Sequence, residues 1–175
     1  MIKLKDILFE KKLRVFDFDD TLAKTSAMIY VTGKDGNENT LTPGEYAVYK
    51  PKKDDVFDYR DFNAVTEPEV IKNMKHLFDK IKAAKGERRI TVLTARAMFK
   101  PIKTYLKQAG FGNNVFVVAL AGAEPQKKAD WIRGQIKKGY NNIAFWDDSA
   151  KNVKAVSDLK KDYPDIKLKS KLVRY

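Results

Sequence analysis

The sequence contains no cysteine and a single histidine, His76. Disulfide bridges and thiolate metal sites are therefore excluded, and a bound metal ion would need oxygen ligands, mainly from carboxylates. His76 lies among polar positions of a helical pattern, and we expect it to be a solvated surface side chain. The chain has no apolar run near the ~20 residues that cross a bilayer, and its first residues lack the features of a secretory signal. We therefore expect a cytoplasmic protein.

Composition is typical of a globular chain: 175 residues, of which 43% are hydrophobic and 33% charged, predict a single domain over residues 1–175. The net charge is +12, and acidic and basic residues balance over residues 1–60, so the excess lies in the remainder. Such a charge would attract a polyanion, and the alternative is a solvated, lysine-rich surface.

Four short apolar runs predict buried strands. Their residues are continuously apolar rather than alternating, which is typical of a parallel sheet covered on both faces. The runs are Leu13–Phe18, Arg89–Leu93, Val115–Leu120 and Ile143–Trp146.

Helical patterns lie between these strands. In the first, apolar residues from Val70 to Ile81 share one face, and Thr66 with Glu69 predicts a capping box at its start. Three more helices are predicted around residues 102–109, 129–136 and 153–159. This alternation predicts an α/β fold with a Rossmann-like, doubly wound parallel sheet.

Residues 23–65 interrupt the alternation. Tyr30–Thr32 followed by the turn-like Gly33–Asn37 predicts a hairpin with loops, inserted after the first strand. Aromatic residues and lysines are interleaved here, which suits exposed nucleic-acid bases, and the alternative is that the aromatics form the insert's own small core. These residues are Tyr30, Tyr46, Tyr49, Phe57, Tyr59 and Phe62, with Lys50, Lys52 and Lys53.

Two acidic clusters follow predicted strands. Asp17, Asp19 and Asp20 follow the first strand, and Asp147 and Asp148 follow the last. Ligands bind at the carboxyl ends of the strands in open α/β sheets, and buried like charges are costly unless a cation compensates them. Turn or helix caps are the alternative interpretation. Together the two clusters predict an oxygen-rich site of the kind that Mg²⁺ prefers.

The segment Asp17–Thr21, DFDDT, resembles the D-x-D-x-T first motif of the haloacid dehalogenase (HAD) superfamily. Thr94, which ends the second apolar run in the segment ITVLT, is similar to the second motif, and the pair Asp147–Asp148 is similar to the fourth. Either Lys127 or Lys128 matches the third motif. We prefer Lys128, because its spacing to the following Trp-Ile pair resembles that of relatives in which the lysine opens a helix.

The resemblance implies a HAD-like fold without a large cap and a magnesium-dependent phosphatase. Asp17 would be the nucleophile that forms an aspartyl phosphate, and Asp19 would act first as acid and then as base. Thr94 and Lys128 would hold the phosphoryl oxygens.

The resemblance also implies a metal site. Its ligands would be Asp17, the backbone carbonyl of Asp19, Asp147 and, through water, Asp148.

Two further residues have alternative interpretations. Arg96 follows the second motif, where it would either grip a substrate phosphate or form a surface salt bridge. Asn152 would either support the second acidic cluster by a hydrogen bond or simply lie in the first turn of a helix.

The expected substrate is a polynucleotide or nucleotide phosphate. The short segment between Thr94 and Lys128 leaves no room for a large cap, and in this family an open site often serves bulky substrates. The chain also resembles the phosphatase half of polynucleotide kinase/phosphatases in its generic motifs. The alternatives are a phosphatase of small phosphometabolites and a catalytically idle binding module with the same fold, which would lack one of the motif residues.

Overall fold

A computed structural model describes residues 10–174 of the chain. Strands and helices alternate along most of this range. The strands are β1 Lys12–Phe16, β2 Ala23–Lys24, β3 Ile29–Thr32, β4 Glu38–Leu41, β5 Val56–Asp58, β6 Glu69–Val70, β7 Arg88–Thr94, β8 Phe116–Ala119, β9 Asn142–Asp147 and β10 Lys167–Leu172. The helices are α1 Pro43–Val48, α2 Lys72–Ala83, α3 Lys100–Gln108, α4 Pro125–Lys137 and α5 Ala150–Asp162.

Five strands form a parallel sheet in the order β10-β9-β1-β7-β8. The predicted doubly wound α/β fold is confirmed, and each of the four predicted strands is present. In the central strand, Phe16 is in register with Val92 of β7 and with Trp146 of β9. The carboxyl ends of these three strands therefore meet at one edge of the sheet, which is where Asp17, Thr94 and Asp147 lie.

Both faces of the sheet are covered by helices, which explains why the strand sequences are continuously apolar. On one face, Phe16 and its neighbours pack against residues of α2 and α3 such as Phe78 and Ile102. On the other, Leu13 packs in a cluster with residues of α4 and α5 such as Ile132. Successive side chains of a strand point to opposite faces, so each strand supplies both clusters.

The start of α2 differs from the prediction. The helix begins at Lys72, and the capping box expected at Thr66 and Glu69 is wrong. Glu69 is instead in β6, where it pairs with Lys24 of β2. Because this short antiparallel pair joins the two ends of the insert, the backbone there is extended and cannot start a helix.

The insert is more structured than expected. The predicted hairpin is confirmed as β3 and β4, and β5 adds a third antiparallel strand on the other side of β3. Helix α1 was not predicted, although its start carries a capping box in which Thr42 and Glu45 bond to each other's backbone. A short 3₁₀ helix, Arg60–Asn63, leads the chain back towards the sheet.

The aromatic residues of the insert pack mainly on one another. The Phe57 ring lies 5.4 Å from that of Tyr46 and 6.0 Å from that of Tyr49, measured between centroids. Tyr46 and Tyr59 share a hydrogen bond of 2.8 Å between their hydroxyls. This arrangement favours the interpretation of these aromatics as a small core, although Tyr59 remains 42% exposed.

Strand β10 at the edge of the sheet was not predicted. Its sequence alternates exposed Lys167, Lys169 and Lys171 with the half-buried Leu168 and Ser170. The continuous apolar pattern is absent from β10, because the lysines on one of its faces are exposed. Within residues 10–174 no helix has the length and apolar character needed to cross a membrane, and no large cap separates Thr94 from Lys128.

Candidate active site

Three carboxylates from two strand ends meet at the carboxyl edge of the sheet. Asp17 follows β1, and its backbone N–H donates to the carbonyl of Trp146 in β9 at 2.9 Å. Asp147 ends β9, and Asp148 follows it. One carboxylate oxygen from each of Asp17, Asp147 and Asp148 lies within 4.8 Å of the other two. Asp17 of the first predicted acidic cluster and both residues of the second therefore form one group.

Lys128 compensates part of this negative charge. It lies in the first turns of α4, and its Nζ donates to Oδ1 of Asp17 at 2.6 Å and to Oδ2 of Asp147 at 2.7 Å. Its side chain is only 5% exposed. Lys127 points away, since its Nζ bonds to the carbonyl of Ala121 and pairs with Glu124 on the surface. Of the two candidate lysines, Lys128 is the one in the site.

The buried charges perturb one another. Burial raises the pKa of Asp17 well above its usual range, and the charges of Asp147 and Asp148 add to this, while Lys128 opposes it. Burial also raises the pKa of Asp148 to about 6, with Asp147 as the next cause. Burial disfavours the charged form of Lys128, but the charges of Asp17 and Asp147 outweigh this and raise its pKa. The group thus carries an excess of negative charge that a cation would relieve.

Asp147 is held in place by the start of α5. Asn152 donates from Nδ2 to both carboxylate oxygens of Asp147, at 3.0 and 3.1 Å, and the backbone N–H of Ser149 donates to Oδ1 at 2.8 Å. The helix cap itself is Ser149, whose hydroxyl accepts from the backbone of Asn152. The acidic pair is therefore not the side-chain cap of this helix, and Asn152 has the supporting role considered from the sequence.

Two threonines complete the inner wall. Thr94 is fully buried at the end of β7, and its Oγ1 accepts the backbone N–H of Arg96 at 3.1 Å. Its hydroxyl hydrogen remains available to donate. Thr21, also fully buried, accepts the backbone N–H of Asp148 at 3.1 Å. Sequence reasoning matched Thr21 to the first motif but did not foresee that it fixes the second acidic cluster.

Arg96 differs from both sequence interpretations. Its side chain is only 1% exposed and forms an ion pair with Asp19. The predicted salt bridge therefore exists, but its arginine is buried and not on the surface. Its guanidinium donates five hydrogen bonds to protein acceptors, two of them to the carboxylate of Asp19. The alternative of a phosphate grip is therefore not supported by this geometry. Thr25, which the sequence analysis missed, donates a hydrogen bond to Asp19 and accepts one from Arg96.

The residues present fit a magnesium ion. Asp17, Asp147 and Asp148 offer oxygen ligands at one point, two of the three are buried, and their joint charge exceeds what Lys128 neutralises. The side chain of Asp19 lies outside this group, paired with Arg96. Only its backbone could contribute, as the resemblance implied.

Comparison with known proteins gives a likeness in structure but none in sequence. No family model and no curated protein matches the sequence. The HAD domain of effector protein Lem4 from Legionella pneumophila matches in two solved structures. The inactive mutant superposes with a TM-score of 0.57 at 12% identity, over 94% of this chain and 86% of that one. The second structure gives a TM-score of 0.55 at 12% identity, with the same coverage.

The chain has the HAD fold. At this identity the likeness shows the fold alone, so any activity has to be argued from the residues of the site. Asp17, Thr94, Lys128 and the pair Asp147–Asp148 lie together at the carboxyl edge of the sheet. His76 is exposed on α2, as predicted.

Proposed function

We propose that this protein is a magnesium-dependent phosphomonoester hydrolase that works through an aspartyl phosphate on Asp17. The observation that carries the proposal is the placement of Asp17, a buried carboxylate in contact with the buried cation of Lys128 and within 4.8 Å of two further carboxylates. A structural role explains this group poorly, because burying like charges together costs on the order of several kcal/mol.

The first step is attack of Asp17 Oδ on phosphorus, with departure of the alcohol oxygen. Lys128 stands beside the nucleophile and neutralises charge that develops on the phosphoryl oxygens. The hydroxyl of Thr94 donates to another of these oxygens. Mg²⁺, held by Asp17, Asp147, Asp148 and the carbonyl of Asp19, would offset the repulsion between the carboxylate and the phosphate.

Asp19 is the acid and base of this scheme. Its side chain is 20% exposed and lies outside the carboxylate group that surrounds the metal site. It can therefore give a proton to the leaving oxygen and later accept one from the water that hydrolyses the aspartyl phosphate. Because both proton transfers occur on the same side of the phosphoryl group, one carboxylate suffices for both.

The proposed substrate is a polynucleotide end, with nucleotides second. Support comes from charge: Lys50, Lys52 and Lys53 are exposed on the insert, and the chain carries a net charge of +12. Base stacking has less support than charge, because the aromatic rings of the insert pack on each other. An idle binding module is disfavoured, since every residue that the chemistry needs is present.

A phosphatase panel tests the proposal. Oligonucleotides with 3′ or 5′ phosphates, mononucleotides, sugar phosphates and an aryl phosphate would be offered with Mg²⁺ and with a chelator. We expect hydrolysis that requires the metal and disappears in Asp17→Asn. An inactive wild-type protein across the whole panel, or equal rates in Asp17→Asn, would contradict the proposal.

A further inference from the structure

The guanidinium of Arg96 joins the proposed acid to the insert. Nε and Nη2 donate to the two carboxylate oxygens of Asp19, at 2.9 and 2.7 Å. Nη1 donates to the backbone carbonyls of Phe62, at 3.2 Å, and Ala64. Both carbonyls belong to the segment that leads out of the insert. A single planar group therefore fixes one side chain of the site and one turn of the insert at the same time.

A hydroxyl closes the same network. Nη2 of Arg96 also donates to Oγ1 of Thr25, at 3.2 Å, and Thr25 donates to Oδ1 of Asp19 at 3.1 Å. Thr25 lies just after β2, where the chain enters the insert. The entry and the exit of the insert therefore both contact the Arg96–Asp19 pair.

The arrangement is specific to arginine. Two donors face a carboxylate while a third nitrogen faces two carbonyls on the insert, and the flat fork of a guanidinium serves both directions. A lysine ammonium keeps the charge but cannot reach both sets of acceptors in this geometry. The pair is also buried on the arginine side, so the hydrogen bonds are not exchanged freely with water.

The 3₁₀ turn that carries these carbonyls has its own anchor. Asp61 accepts the backbone N–H of Met28 at 3.0 Å and the hydroxyl of Tyr30 at 3.1 Å. The turn is thereby tied to β3, and movement of the insert sheet would be transmitted through Asp61 to the carbonyls held by Arg96.

We propose that Arg96 is a positioning residue. It orients the carboxylate of Asp19, and it makes proton transfer to the leaving group depend on the position of the insert. The proposal rests on the proposed phosphatase function and adds its regulation: a substrate that contacts the insert aligns the acid through Arg96. Arg96 does not itself touch the phosphate.

The catalytic test uses Arg96→Lys and a series of phosphate monoesters with leaving groups of different basicity. For alkyl and nucleoside phosphates, which need a proton, kcat/KM falls at least about tenfold, while for a dinitrophenyl ester, which needs none, it falls less than about threefold. Arg133→Lys is the matched control, because Arg133 pairs with Asp130 on the surface of α4. Its kcat/KM values stay at the wild-type level for every ester.

A second variant reaches the same network from the insert. Asp61→Asn loosens the attachment of the turn to β3 without changing the five-stranded sheet or Asp19, and it shows the same dependence on leaving group in weaker form. When combined with Arg96→Lys it adds little, because both changes interrupt one connection. Faster hydrogen exchange of the amides of residues 60–64 in both variants provides a readout that needs no activity.

The outcomes separate this proposal from the function on which it rests. Loss of kcat/KM in Arg96→Lys by the same factor for all esters identifies a phosphate ligand and overturns the positioning role. Additive effects of the two variants remove the connection to the insert. A wild-type protein that hydrolyses none of the esters overturns the proposed function and the positioning role together, whereas the first two results leave the phosphatase intact.

Discussion

Nζ of Lys128 lies 2.6 Å from Oδ1 of Asp17, and both side chains are buried. Lys128 thus stands beside the atom proposed to attack phosphorus, and it also bridges to Asp147. Lys128 therefore places a positive charge against two buried carboxylates, and it opposes the rise that burial causes in the pKa of Asp17.

Replacement of Lys128 by methionine should destabilise the metal-free protein by about 3–5 kcal/mol, because it leaves Asp17 and Asp147 buried without their cation. Mg²⁺ should restore part of this loss, so the metal should raise the melting temperature more in Lys128→Met than in the wild type. Lys127→Met is the matched control, since that side chain is on the surface, and it should melt like the wild type. Equal responses to Mg²⁺ in all three proteins would show that the metal does not enter this group.

Asn152→Ala should lower the affinity for Mg²⁺ by about 10–100-fold, because the amide that orients Asp147 is a support for a metal ligand. Isothermal titration calorimetry with Mg²⁺ measures this affinity directly. Ser157→Ala, on the exposed side of the same helix, should bind the metal like the wild type. Unchanged affinity in Asn152→Ala would mean that Asp147 keeps its orientation without the amide or does not bind the ion.

The pKa of Asp148 predicts opposite effects of pH on stability and on metal binding. Burial, followed by the charge of Asp147, raises it from 3.8 to about 6. Without metal, the folded protein holds the extra proton in this window, so its contribution to stability is lost as the pH rises from 3.8 through about 6. Mg²⁺ requires the ionised carboxylate, so its affinity should increase over the same window.

The pH effect of Asp148 is isolated by comparing the wild type with Asp148→Asn. The difference in melting temperature between the two metal-free proteins should change across that pH window, in favour of the wild type at the acid end. Titrations with Mg²⁺ at several pH values supply the second half of the comparison. A pH-independent difference, together with a constant Mg²⁺ affinity, would contradict the raised pKa of Asp148.

A phosphorylated oligonucleotide should be hydrolysed with higher kcat/KM than the matching mononucleotide. If lysine contacts to phosphates supply the binding, KM should rise steeply with salt, by about one counterion for each phosphate contacted. The double variant Lys52→Ala, Lys53→Ala should raise KM for the oligonucleotide without lowering kcat, and should leave the mononucleotide unaffected. Preference for the mononucleotide with salt-independent KM would remove nucleic acid as the substrate.

Much of the fold could be predicted because its signals are local. Strands buried on both faces are continuously apolar, and this located β1, β7, β8 and β9. Strand β10 has only a weak period-two pattern, because Lys167, Lys169 and Lys171 are exposed while Leu168 and Ser170 are half-buried. The start of α2 was misplaced because Thr66 and Glu69 have the spacing of a capping box, but pairing between β2 and β6 decides the local structure. Tertiary pairing of this kind leaves no local signal.

In the site, too, residues with a local sequence signal could be predicted and tertiary contacts could not. Asp17, Thr94 and Asp147 could be located because each ends a recognisable strand, and parallel strands bring their carboxyl ends together. The partner of Arg96 could not be predicted, because Asp19 and the carbonyls of Phe62 and Ala64 come together only through the return of the insert. Thr25 was missed for the same reason.

The most direct test of the account is the detection of a phosphoryl group on Asp17. Asp19→Asn would be mixed with an aryl phosphate and Mg²⁺, quenched in acid and digested, and the peptides analysed by mass spectrometry. Because the good leaving group needs no acid while hydrolysis of the intermediate needs a base, we predict that the peptide containing Asp17 carries one phosphoryl group. Release of phosphate by the wild-type protein, with no label on Asp17 in this variant and with undiminished turnover in Asp17→Asn, would contradict the account.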